Sequence, residues 1–206
     1  QGNKLPVNYI GNNHGGLVEV EGEHYIFWHR QTHGNAYSRQ GCAEQVKILN
    51  DGTIHQIEIT SCGLNDGPLP AKGSYPAYIA CHLTERDREK VGQVVMNELG
   101  EELPRLPVEM PYITEEEQLD GEHGLYPYIC NLNAGAVVGI KYLQFDGSER
   151  EISLILRGDG AVEVHLDSPG GSAIAVVDTA GKGSWKVERA RLSMIDEKRI
   201  KGKHAI

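Results

Sequence analysis

The chain has 206 residues, 39% of them hydrophobic and 24% charged, enough to bury a core in one or two small domains. Its 20 Lys and Arg stand against 29 Asp and Glu, a formal charge of −9, which argues against nucleic acid and anionic membrane as partners. No run approaches the ~20 consecutive apolar residues that span a bilayer. With Gly 25, Pro 9 and short runs rich in Val, Ile and Tyr, the composition predicts an all-β chain.

From the N-terminus, the first predicted unit is a hairpin. Leu17 to Glu21 alternates, Gly22-Glu23 turns, and His24 to His29 runs back. A third strand is expected from Ala43 to Leu49, a turn at Asn50-Asp51-Gly52-Thr53, and a fourth strand from Ile54 to Thr60. Four strands in that length match one propeller blade, at ~40–50 residues each. Gly63 to Pro76 reads as a loop wrapping the blade. Over 84–102, Thr84 can cap a first turn while Val91, Val94, Val95 and Leu99 recur at three- and four-residue spacing, which predicts a helix. Leu103-Pro104-Arg105-Leu106-Pro107 ends it as an extended linker. A boundary at 84–107 therefore divides residues 1–83 from 108–206.

Beyond the linker, Ala136–Phe145, Glu151–Arg157, Ala161–Leu166, Ala173–Val177 and Trp185–Leu192 are strand candidates spaced as in a β-sandwich. Gly202 to Ile206 reads as the start of a further strand, and both ends read as cut from something longer. Cys42, Cys62, Cys81 and Cys130 lack Cys-x-x-Cys spacing and read as buried free thiols, neither zinc ligands nor a disulfide scaffold. Reduced cysteines and the missing leader lean toward a bacterial cytoplasm.

Gly11-Asn12-Asn13-His14-Gly15-Gly16, then His24 to Arg30, then Tyr37-Ser38-Arg39-Gln40, resemble the closing part of family 43 glycoside hydrolases. So does Asp51-Gly52-Thr53-Ile54 leading to Thr60-Ser61-Cys62-Gly63. The resemblance implies the last blade of a five-bladed propeller and its loop, from a β-xylosidase or α-L-arabinofuranosidase. Met110 to Thr114, Tyr128 to Leu132, Gly135 to Tyr142, Glu163 to Ser168 and Gly183-Ser184-Trp185 resemble the sandwich that follows the propeller, related to family 6 carbohydrate-binding modules.

The resemblance implies inverting hydrolysis, with two carboxyls ~6.5–9.5 Å apart around the attacking water. The family's catalytic carboxylates lie on blades upstream, so no catalytic residue is assigned here. His14 matches a histidine near the propeller axis, and Arg39 matches a Ser-Arg position whose donors bind a sugar hydroxyl or hold a carboxylate ionised. Each has a plainer reading: His14 as a hydrogen-bonding group in its Gly-rich turn, Arg39 as a partner of Glu44. His24, His29, His33 and His55 read as structural, and Tyr25, Phe27 and Trp28 as blade packing. Glu115-Glu116-Glu117 reads as a solvated turn. No cofactor is required; the hard oxygens of Glu115, Glu116 or Asp167 suit a structural calcium.

Aromatic platform positions of the binding modules read Val137 to Ile140 and Lys186-Val187-Glu188 here, which favours a buttress over a sugar-binding face. The partner expected for the parent is a xylan- or arabinan-type carbohydrate; alone, the chain is expected to be inert and to self-associate or pair with missing blades. Two alternatives stay open: an independent carbohydrate-binding module, and a bare fragment without function.

Overall fold

The computed structural model describes residues 14–33, 38–84, 94–96, 102–104, 111–117, 125–181, 183–194 and 199–206. Among these residues every regular element is a strand, apart from one 3-10 turn at Ala77–Ile79. The chain is all-β, as the glycine-punctuated, β-branched composition requires. It forms two compact units, residues 1–64 with 75–139 and residues 65–74 with 140–206.

In the first unit, β1 (Gly15–Val20), β2 (Glu23–Gln31) and β3 (Arg39–Val46) form an antiparallel sheet in the order β1-β2-β3. The turn falls on Glu21 and Gly22, with φ of 53° and 85°, the doubly left-handed geometry of a two-residue hairpin. That is one residue earlier than the sequence pattern suggested. The expected fourth strand is reduced to one bridge, Ile48 to Ile54, beside the Asp51 turn. In that turn Thr53 N–H donates to Asp51 Oδ1 at 2.9 Å and, with the Thr53 hydroxyl, holds the Asp51 carboxyl below the usual carboxylate range.

The helix expected over 84–102 is overturned where the structure describes it. Val94–Met96 (β6) is a strand antiparallel to Glu102–Pro104 (β7), and Thr84 ends the strand His82–Thr84 (β5). Adjacent β-branched Val94 and Val95 satisfy either period, and ladder pairing decides. The remainder of that expectation, Val91 and Leu99 included, lies outside the described residues. Glu115 to Glu117, expected in a turn, belongs to β8 (Tyr112–Glu117), which pairs with β9 (Leu125–Cys130). β5 pairs with β10 (Val137–Gly139).

In the second unit, Leu69–Pro70 (β4), β11 (Leu143–Phe145) and β16 (Gly202–His204) form one sheet, ordered β16-β11-β4. β12 (Glu151–Leu156) pairs with β15 (Lys186–Arg191), and β13 (Gly160–His165) with β14 (Ala173–Thr179). The predicted run Ala136–Phe145 is broken into β10 and β11, which belong to different sheets. Leu69, Leu143, Phe145, Val164, Ile174, Val177 and Ile200 are buried and make the core of this unit. None of the four cysteines is in a disulfide; Cys62 is buried and the others are half-buried.

Candidate functional site

The register of the β1-β2-β3 sheet decides which side chains share a face. Gln31 opposes Arg39, His29 opposes Gly41, and Gly15 opposes Trp28, which places His14 beside His29. Because strand side chains alternate, His14, His29, Gln31 and Arg39 lie on one face at one end of the sheet. The two sequence-predicted residues are therefore brought to the same end. His14 is exposed and its ring meets that of His29 edge-on, centroids 4.6 Å apart at 68°. Arg39 is also exposed.

Glycine makes this approach possible. A Cβ on Gly15 would collide with the Phe27 carbonyl oxygen, so β1 comes this close to β2 at that position only because Gly15 lacks a side chain. Phe27, expected to be packed away, stays 37% exposed on the same face as His14.

The opposite face is closed by polar anchors that sequence reasoning missed. Arg30 Nε donates to Gln40 Oε1 at 2.7 Å, while its two terminal nitrogens donate to the carbonyls of Tyr78 and Ala80. Burial pushes the Arg30 guanidinium below its ordinary value, so three acceptors gather around a desolvated cation. Nearby, burial pushes the Cys42 thiol up, against the pull of Arg30. Glu44, only 6% exposed, accepts from the Thr60 backbone N–H and from Thr60 Oγ1, the latter at 3.0 Å. Glu44 is five residues from Arg39 and thus on the other face; its carboxylate serves the Thr60-Ser61-Cys62 turn. No local sequence signal marks these anchors, because the register that sets Arg30 opposite Gln40 depends on the length of the connection between the strands.

His33 forms a further node. Its backbone N–H donates to Ile113 O at 2.7 Å, Nδ1 lies 2.7 Å from Ser38 Oγ, and Nε2 lies 3.6 Å from Glu115 Oε1. His24 lies 3.7 Å from Glu19, its cross-strand partner, and His55 is exposed. Gly11 to Asn13 and Tyr37 lie outside the described residues.

Among the described residues no three His, Cys, Asp or Glu side chains converge as a metal would require. Both Asp167 oxygens are taken, Oδ2 by His204 Nδ1 at 2.7 Å and Oδ1 by the Ala205 N–H at 2.9 Å. Burial raises the Asp167 carboxyl, but these bonds and His204 together hold it below the usual range.

No protein-family model matches the chain. Over 154 residues, 74% of its length, the chain is 42% identical to a protein named xylosidase/arabinosidase from Thermoclostridium stercorarium, and the match spans 30% of that protein. The chain is thus similar to one part of that longer protein. Its fold is similar to the crystal structure of a family 43 arabinoxylan arabinofuranohydrolase from Bacillus subtilis, solved with cellotetraose. The TM-score is 0.53 at 17% identity, covering 95% of this chain and 36% of that one. The chain thus spans about a third of the length of both relatives.

Proposed function

We propose that the chain supplies a pocket wall and an accessory β-sandwich to a glycoside hydrolase acting on arabinose- and xylose-containing plant polysaccharide. The catalytic carboxylates come from other parts of the full-length protein. The observation that carries this reading is the 42% identity to a xylosidase/arabinosidase. In this reading the β1-β2-β3 sheet is one blade of a propeller and the second unit contributes the sandwich. His14 and Arg39 face the sugar from one end of the blade. Arg39 offers a planar fork to a hydroxyl or to a catalytic carboxylate, and His14 offers a neutral ring nitrogen. No cofactor on this chain enters the reading.

Release of 4-nitrophenol from the arabinofuranoside and the xyloside tests it. The full-length protein turns them over, and this chain alone does not. Arg39→Ala in the full-length protein lowers kcat/KM about 10- to 100-fold, the loss of one charge-assisted hydrogen bond. Turnover by this chain at the full-length rate would overturn the assignment.

β1 is the outer strand of its sheet, with Leu17, Val18 and Val20 roughly half exposed. In isolation these groups pair with a second copy, giving a mass that rises with concentration in light scattering. A strictly monomeric profile would refute that pairing.

A further inference from the structure

The outward face of the β12–β15 ribbon carries a pattern that the reading above leaves unused. Glu151 opposes Arg191, Ser153 opposes Arg189, and Ile155 opposes Val187. One step past the ladder, the Arg157 guanidinium stands 4.5 Å from the centre of the Trp185 ring. Period-two alternation places all of these on one face, while Ile152, Leu154 and Leu156 turn to the other and are half-buried. Ile155 and Val187 are 54% and 55% exposed, an apolar pair open to water directly across the ribbon.

The charge on this face runs against the rest of the molecule. Three arginines meet one glutamate, Glu151, which lies 3.8 Å from Arg189, whereas the whole chain carries −9. At physiological salt such a field reaches about 8 Å, so a ligand on the ribbon feels the local cations ahead of the distant acids. Arginine forks match carboxylates in two parallel hydrogen bonds. The Cβ atoms of a cross-strand pair sit about 5 Å apart, so Ile155 and Val187 form a flat apolar strip comparable in width with one sugar ring. Trp185 extends it at one end, and Arg189 and Arg191 flank the other.

We infer that this face binds an acidic carbohydrate, a sugar chain bearing carboxylates. Arg189 and Arg191 take the carboxylates, and Ile155 with Val187 takes the C–H face of a ring. The carbohydrate class rests on the proposed function; the negative charge rests on the face itself. The site differs from the aromatic platform expected of a binding module, because Arg157 already covers one face of Trp185.

Affinity electrophoresis of the whole chain tests the inference, in gels containing polygalacturonate, neutral arabinoxylan or polyglutamate. Polygalacturonate retards the chain, polyglutamate retards it at least fivefold less, and raised salt abolishes the effect. Arg189→Ser with Arg191→Ser weakens retardation at least fivefold. Ile155→Ser, at an exposed position that leaves the charge intact, weakens it at least twofold. Equal retardation by polyglutamate would mean an acidic protein partner and overturn the inference, as would no retardation or indifference to both variants. Retardation by polygalacturonate alongside an inactive full-length protein would instead sink the hydrolase reading and leave this one standing.

Discussion

The two units bury different chemistry. In the second, the buried side chains Leu143, Phe145, Val164, Ile174, Val177 and Ile200 are all apolar. In the first, Val46, Cys62, Ala80, Ile113 and Ile129 share the interior with Gln31, Thr32, Glu44 and Ser61. An apolar core tolerates sliding and repacking so long as volume is kept. A core that includes a carboxylate and sits beside a desolvated guanidinium is bound to one geometry, because each misplaced partner leaves a group unsatisfied. The sheet that presents His14 and Arg39 is therefore fixed from behind by directional bonds, as the pocket role proposed for those two residues requires.

That contrast can be broken by substitution. Ile174→Ala, at 3% exposure, should cost about 4 kcal/mol through lost burial and a cavity. Its hydrogen-exchange protection should fall in β14 and leave β3 unchanged. Arg30→Ala orphans two carbonyls and should cost about 3 kcal/mol, with protection lost around Ala77–Ile79 and β3. If Arg30→Ala costs under about 1 kcal/mol, the ordinary worth of a single neutral hydrogen bond, the polar anchoring of the first unit is refuted. Glu44→Gln keeps an acceptor for Thr60 and should cost about 1 kcal/mol, far less than an apolar replacement that leaves the Thr60 N–H unmet.

The smallest effect concerns acid. Asp167 and Asp146 both ionise below the usual range, Asp146 because the Ser148 hydroxyl, Lys72 and the Ser148 N–H donate to it. A depressed acid contributes stability above its unfolded value of about 4 and loses it as the pH falls through the folded value. Protection of β16, which ends at His204 just before Ala205, should accordingly decline on acidification below about pH 4. Asp167→Asn should flatten that decline; an unchanged acid limb would show that the carboxylate does not hold the strand.

The sequence made much of the local architecture legible. Alternation in Leu17 to Glu21 and in Glu151 to Arg157, glycine at hairpin turns, and Asp51 ahead of Gly52 each act within a few residues. These elements formed close to where the pattern set them. The exceptions share a cause. Val94 and Val95 fit helix and strand periods alike, and the isoleucine-rich run Ile54 to Thr60 finds a ladder partner only at Ile54. For such segments the partner decides, and the partner is distant in sequence.

Two things were determined by the chain order of residues alone: an all-β architecture, because short β-branched runs punctuated by glycine dominate the sequence, and a family likeness carried by short motifs around His14 and Arg39. Only the tertiary structure placed those two residues on one sheet face, turned Glu44 toward Thr60 and set Arg30 against the carbonyls of Tyr78 and Ala80. Register and long-range hydrogen bonds depend on which strand lies beside which. No window of sequence encodes that without the partner strand.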